Sequence, residues 1–555
     1  MEKFTNPATL ESADVLRPLA DFPVNIWEDP LASFAISETE SHTYDERLKA
    51  LKEEVKESFV ASKANMIENI KLIDALSRLG ISYHFEQDIQ EQLEKVFLSD
   101  HLNEMTRTGK FDLSTAGVLF QVFRQFGYKV STQVFDKFKN EDGKFDERLG
   151  EDARGMLSLY EASQWSTRGE DILDEALSFS TTRLETLSRQ CAPHLAVRIE
   201  NALKHSFHKG ITRLETRRYI TYYEEEPSHD KVLLEFAKVD FNSVQLLHRQ
   251  EIGHVYRWYK ELQLDVKLPY ARDRVIESYL WALGAYFEPQ YSRGRIIVAI
   301  TIILLTLLDD TYDAYGTPGE LDQFTDALER WDRTAAEGLP DSMKYLHHVI
   351  LDFYDKIEEE MDKETRLGCG FHAKKSFILT AKGYHKEAKW LREDYVATFK
   401  EYKENGIFLC AYYAAITSSF VGTGDVAKLD AFEWLSSYPK VFVASLIISR
   451  FMDDISTYEF EHKRKHVGTA IDCYMKEYGV AKGKAIEEIQ NIIMDSWKEL
   501  NQELMRPHLF PFPLLMRILN LTRVIDVFYK YQDLFTNPEL LRDDVVSLFI
   551  EEIPI

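Results

Sequence analysis

The chain has 555 residues, 45% of them hydrophobic and 13% aromatic, with 24 Gly and 16 Pro. That length carries a large core and suggests two or more domains, and the scarcity of Gly and Pro favours long uninterrupted helices. A formal net charge of −25 argues against a broad nucleic-acid surface and against an anionic membrane partner. An anionic substrate would need a local cluster of Arg and Lys, or metal ions.

The N-terminal stretch MEKFTNPATLESADVLRPLADF has no apolar core of a signal peptide. It carries Glu2, Glu11 and Asp14, whereas transit peptides are poor in acids, so the expected location is the cytoplasm. Further on, TRGEDILDEALSFSTTRLETL reads as an amphipathic helix. Thr167 and Glu170 have capping-box spacing, and Leu173, Ala176, Leu177, Leu184 and Leu187 recur at helical intervals. Alternating strand patterns are hard to find, so the expected class is all-α. Turn signals fall at 139–147, 223–230, 315–322 and 421–427. The acidic, Pro-containing stretch 224–230 is the best linker, giving a capping segment 1–35, a helical domain 36–228 and a second domain 229–555. The first half has no Asp-x-Asp-Asp cluster, so the chemistry is expected in the second. Cys191, Cys369, Cys410 and Cys473 are widely spaced without a CxxC pair. That suits a reducing compartment rather than a disulfide framework or a zinc site.

In the second half, ARDRV supplies Arg272 and Arg274, and YLWALGAYFEP supplies Trp281. The apolar run 296–308 is too short to span a bilayer and reads as a buried core helix. It leads straight into LLDDTYDAYG. Buried carboxylates are costly unless something pairs with them or they coordinate a metal. On a helix Asp309 and Asp313 share a face, while Asp310 is rotated away by roughly 100° and reads as a supporting residue. A second apolar approach, VFVASLII, leads into SRFMDDISTYEFEHKR. There Asp453, Thr457 and Glu461 form one stripe at i, i+4 and i+8, with Arg450 three residues before it.

Carboxylates and a hydroxyl without His or Cys suit a hard cation, and Mg²⁺ is the natural choice because it shares its coordination sphere with substrate phosphates. Arginine forks match phosphate geometry. Each feature alone has an ordinary explanation: a solvated acidic helix face, surface salt bridges at Arg272 and Arg274, core rings at Trp281, Tyr412 and Tyr529. Two acidic stripes, each after an apolar helix and each with an arginine nearby, point together to a diphosphate site in a helical bundle.

The chain resembles the plant terpene synthase family, of the cytosolic sesquiterpene type, over nearly its whole length. The resemblance runs through RPLADFPVNIW, RLGISYHFE, GEDILDEA, LLEFAKVDFN, LPYARDRVIESY, FEPQYS, LLDDTYDAYGT, ERWD and SRFMDDISTYEFE. DDTYD matches the family's DDxxD motif. DDISTYEFE fits its (N/D)Dxx(S/T)xxxE motif, and Arg17, Pro18 and Trp27 fit its R-P-x8-W signature. The resemblance implies two helical domains, an inactive N-terminal barrel relic and a C-terminal catalytic bundle. It implies farnesyl diphosphate as substrate, three Mg²⁺ ions (with Mn²⁺ as a substitute), a monomer, and no nucleic acid or membrane partner. Asp309 and Asp313 would hold one group of metals; Asp453, Thr457 and Glu461 would hold the third ion. Arg272, Arg274 and Arg450 would take up charge on the leaving group, and Trp281, Tyr412 and Tyr529 would face the carbocation. Expected products are of the germacrene, cadinene or eremophilane type, with an alcohol from water capture also open.

The sequence departs from the family where many relatives have Asp-Gly-Tyr-Thr. Here it reads Asp533-Leu534-Phe535-Thr536. Asp533 remains, but the glycine and the tyrosine hydroxyl of the closing lid are gone. A tyrosine hydroxyl there would serve late proton transfers, so Phe535 either alters product ratios or packs outward as filler. A chain-elongating prenyltransferase is the nearest rival, with DDxxD normally on both helices. Use of geranyl diphosphate is a second alternative, and a purely structural helical scaffold is a third.

Overall fold

The structure is a computed structural model that describes residues 22–27, 30, 34, 44–99, 102, 104, 111–409, 411–463 and 466–555. Arg17, Pro18 and Cys410 lie outside the described residues. Of the described residues 75% are helical, and the chain folds as two helical domains. Among the described residues there is no strand, and one isolated bridge joins Lys139 to Phe145. That bridge closes the turn at 139–147, where Gly143 takes a positive φ of 78°.

The helix Asp171–Leu187 buries Leu173, Ala176, Leu184 and Leu187, as its periodicity predicts, while Leu177 is half-buried. Only half of the expected capping box at Thr167 forms: Glu170 reaches back to Thr167 N, while Thr167 Oγ1 has no hydrogen-bond partner. The helix starts one residue after Glu170, whose carboxylate accepts from Thr167 N (2.9 Å) and from Arg124 Nη1 (3.1 Å). Arg124 is fully buried, and the same carboxylate supplies its counter-charge. A complete box stands instead at Thr317 and Glu320, in the turn at 315–322.

The helix Thr212–Glu225 ends within the predicted linker, and Lys231–Glu261 begins after it, capped by Asp230, which accepts from Val232 N at 2.8 Å. In the second half Ser292–Ala314 packs on Val275–Ala285, Tyr412–Val421 and Cys369–Arg392, and Lys440–Glu461 and Phe512–Tyr529, packed on each other, complete the bundle. By length and composition Ser292–Ala314 lies in a segment long enough to cross a membrane, yet that segment's most apolar window is 78% buried inside the fold. It is a core helix. Its first turn is anchored by Arg295, whose Nε and Nη2 each donate to Glu251 at 2.7 Å, a pair with almost no exposure. Gly294 and Gly422 let two helices cross closely: a Cβ on Gly422 would stand 2.3 Å from Gly294 Cα.

Candidate active site

The two acid-bearing helices both open onto one cleft, whose empty space, including its mouth, is about 1300 Å³. Ile302, Leu305 and Thr306 of Ser292–Ala314 form wall below the mouth, and Asp309 and Asp313 follow on the same face. An apolar run ending in acids therefore makes a hydrocarbon wall with an oxygen-rich rim. Asp453, Thr457 and Glu461 line the rim from Lys440–Glu461. Arg272 and Arg450 join them, as do Trp281, Tyr529, Asp533 and Phe535.

Exposure separates the paired aspartates. Asp309's side chain is 39% exposed, and Asp310's is 0%. Asp310 Oδ2 accepts from the backbone N of Arg272 at 2.7 Å, and its Oδ1 lies 2.7 Å from Arg272 Nη2. It orients the arginine from below. Arg272 Nη2 also donates to Asp309 Oδ2 (2.8 Å), and Nη1 donates to Thr536 Oγ1 (3.1 Å). The second stripe repeats the plan. Arg450 pairs with buried Asp454 at 2.8 Å and donates through Nε to Tyr402 Oη at 2.8 Å, while Tyr402 donates to Asp454 at 2.9 Å.

Two predicted residues fall elsewhere. Arg274 does not line the cleft. Its N–H groups donate to the carbonyls of Pro23, Asp273, Phe535 and Thr536. Tyr412 does not line it either. Its hydroxyl donates to Leu521 O at 3.0 Å, and its ring stands edge-on to Trp281 with centroids 5.3 Å apart. It supports the tryptophan from behind. Trp281 is further packed by Phe528, Phe535 (both 5.5 Å) and Tyr529 (6.5 Å). Phe535 is thus packed inward, 7% exposed, and is not outward filler. Asp533 Oδ1 accepts from the backbone N of Phe535 (3.0 Å) and of Thr536 (2.9 Å), which shapes the loop without its glycine.

Several cleft residues escaped the sequence reading, three of them beside the charged rim. Glu387, on Cys369–Arg392, projects into the cleft, and His466 sits between the stripes, 3.9 Å from Asp313 and 3.6 Å from Glu461. Phe22 lies over Arg272 at 4.5 Å. Glu387 follows Tyr384, another lining residue, by three positions on one helix face. Nothing in GYHKEAKWLRED distinguishes that face from a solvated one.

The carboxylates are short of cations. Burial pushes Glu387 up to about 7 and holds Asp453 well above the usual carboxylate range, with Arg450 only partly offsetting it. Glu387 Oε1 and Glu461 Oε2 are buried without a hydrogen-bond partner. Orphaned carboxylate oxygens around one mouth fit a hard divalent cation. Among the described residues no three His, Cys, Asp or Glu side chains converge closely enough to hold an ion by themselves. An ion at this rim would complete its shell with ligands that the protein does not provide.

The chain matches the family model "Terpene synthase family, metal binding domain" over residues 260–499 and "Terpene synthase, N-terminal domain" over 26–203. It is 62% identical over 545 residues to an alpha-humulene/(-)-(E)-beta-caryophyllene synthase of Arabidopsis thaliana, covering 98% of this chain and 100% of the relative. It is 43% identical to a valerianol synthase of Camellia hiemalis, with 98% of each chain covered. Its fold superposes, at a TM-score of 0.86 and 33% identity, on the crystal structure of isoprene synthase from grey poplar leaves (Populus x canescens), covering 92% of this chain and 98% of that one. That structure holds three Mg²⁺ ions and dimethylallyl-S-thiolodiphosphate.

Proposed function

The chain belongs to the terpene synthase family, and from that membership we propose that its cleft ionises farnesyl diphosphate and closes the carbocation into a cyclic sesquiterpene hydrocarbon, releasing diphosphate. One observation carries the reading: two acidic stripes and two arginines face each other across the mouth of an apolar, ring-lined cleft. The 62% identity to a synthase named for two hydrocarbons favours a hydrocarbon product over an alcohol. We read the protein as a cytoplasmic monomer with a non-catalytic domain at 36–228 and a catalytic one at 229–555.

Mg²⁺ is the expected ion, three to a site, with Mn²⁺ accepted by the same oxygen donors. Asp309 and Asp313, helped by Glu387, would hold one group, and Asp453, Thr457 and Glu461 the other. When bound, the ions supply Lewis-acid polarisation of the leaving diphosphate. Arg272 and Arg450 are already fixed by Asp310 and by Asp454 with Tyr402, so they stabilise the charge developing on diphosphate without reorganising. Trp281 and Tyr529 line the cleft, where aromatic rings attract a desolvated cation by roughly 2 kcal/mol without forming a bond to it. Tyr412 acts through Trp281. Tyr529 and Asp533 lie together at the lid side, where a final proton is taken up.

Incubation with geranyl, farnesyl and geranylgeranyl diphosphates, each with Mg²⁺ and read by mass spectrometry, tests this. Cyclic C15 hydrocarbons from farnesyl diphosphate are expected. Longer diphosphates would make the protein a chain-elongating prenyltransferase, and no turnover would leave a scaffold.

A further inference from the structure

Arg274 is 2% exposed, and its guanidinium points away from the cleft. Its Nε donates to Phe535 O at 3.0 Å. Nη2 donates to Thr536 O at 3.0 Å and to Pro23 O at 2.7 Å, and Nη1 donates to Asp273 O at 2.8 Å. All four acceptors are backbone carbonyls. They come from three places: the N-terminal strap at 22–27, the loop before Val275–Ala285, and the loop at 533–537 after Phe512–Tyr529.

Strap and loop are two sides of one rim. Phe22 lies on Arg272 from the strap side, and Thr536 accepts from Arg272 on the loop side. The strap has further ties nearby. Asn25 Nδ2 donates to Asp273 Oδ2 at 2.9 Å, and the Trp27 indole donates to Glu277 Oε1 at 2.9 Å. Within the contacts described, Arg274 is the side chain that hydrogen-bonds both strap and loop. A planar fork of five fixed N–H donors can span carbonyls on separate segments, whereas the three donors of a lysine radiate from one nitrogen.

We propose that Arg274 is a positioning residue, not a diphosphate ligand: it clasps the strap at 22–27 to the loop at 533–537, so that the rim closes as one piece and keeps water off the carbocation. This rests on the terpene synthase reading above. When the rim is loose, a water lone pair forms a C–O bond to the cationic carbon. The surplus proton leaves to solvent or to the released diphosphate, and the product is an alcohol instead of an alkene. Arg272 and Arg450 still serve ionisation.

The test uses the full chain with Arg274→Gln and Arg274→Lys. Three readouts are compared: amide hydrogen exchange over 22–27 and 533–537, the alcohol-to-hydrocarbon ratio from farnesyl diphosphate with Mg²⁺, and single-turnover ionisation. Both variants are expected to speed exchange in both segments together by about tenfold. Both should raise the alcohol fraction several-fold, while ionisation slows by less than about tenfold. Lysine failing to rescue is part of the expectation, because it restores charge but not the fork. The proposal is overturned if Arg274→Lys exchanges and cyclises like wild type while Arg274→Gln loses ionisation, since charge would then be the requirement. Should Arg274→Gln not fold, Trp27→Phe removes one strap tie; faster exchange at 533–537 as well as 22–27 supports the clasp, and a change confined to 22–27 overturns it. A wild-type protein that leaves farnesyl diphosphate unchanged would defeat the functional reading, and the exchange comparison would still decide the clasp.

Discussion

In the first half of the chain, Arg78 Nε donates to both oxygens of Asp74 at 3.0 Å, its Nη2 donates to Gln121 at 3.1 Å, and its Nη1 lies 3.7 Å from Glu161. Arg124 is likewise fully buried against Glu170 and the carbonyl of Val130. In the second half, Asp309, Asp313, Glu387, Asp453, Glu461 and Asp533 share a cleft with Arg272, Arg450 and His466. Both halves bury charge. In the first, these buried arginines are each paired with a carboxylate inside the packed core, away from the cleft. In the second, carboxylates outnumber cations and face open space, and the result is a site waiting for positive charge. Burial of an ionisable group is therefore not what marks function here; an unbalanced buried group beside a cleft is.

That contrast can be broken by exchanging its terms. Arg124→Met should cost about 3–5 kcal/mol of stability by stranding Glu170, yet leave the product profile of the folded fraction unchanged. Denaturant unfolding and product analysis check this, and a shifted profile would give the first half a chemical role. Asp309→Ala or Asp313→Ala should do the reverse: turnover falls by about 10²–10³, or roughly 2.7–4 kcal/mol of barrier, with little change in melting temperature. Near-normal activity in both variants would remove the basis of the site.

Glu215 sharpens the comparison through pH. Burial pushes it up to about 7, with Arg218, 2.9 Å away, pulling the other way. Its folded value exceeds its unfolded value, so its contribution to stability is full below about 4.5 and is lost as pH rises to about 7. The stability of Glu215→Gln relative to wild type should therefore grow across that window, by up to about 3 kcal/mol, without altering products. Unfolding curves at several pH values test it. Gly422→Ala, pressing on Gly294 Cα, should cost about 1–3 kcal/mol. Its melting temperature should fall more than its activity at low temperature. Smallest is Phe535→Tyr. The ring stands edge-on to Trp281 inside the cleft, so a hydroxyl there should shift product ratios while slowing ionisation by less than about tenfold, or roughly 1.4 kcal/mol. An unchanged profile would remove any proton-relay role at this position.

Much of this was legible in the chain itself. Helical periodicity gave Asp171–Leu187 its buried face, and the i, i+4 rule put Asp309 and Asp313 on one side with Asp310 beneath them. Linear reasoning stopped where long-range partners decide. Glu170 caps Thr167 N as its spacing suggests, but it also holds Arg124, 46 residues earlier, a partner that no local rule reports. Arg274 sits two residues from Arg272 but is turned around by carbonyls from residues 23 and 535, which no spacing rule reports. Glu387 looks like any acid on an amphipathic helix until Lys440–Glu461 and His466 are brought against it. The break before Tyr412–Val421, where Ala411 takes a φ of 58° and lines the cleft, has no glycine or proline to announce it.

The central claim is that the cleft's acids are balanced by divalent metal, and that diphosphate is held there only through that metal. Calorimetric titration of inorganic diphosphate into the full-length protein, with and without Mg²⁺, tests it most directly. The account predicts binding that requires Mg²⁺, disappears in Asp309→Ala and in Asp453→Ala, and persists in Arg124→Met measured below its melting temperature. Equal binding of diphosphate with and without Mg²⁺, or binding undisturbed by both acid substitutions, would contradict it.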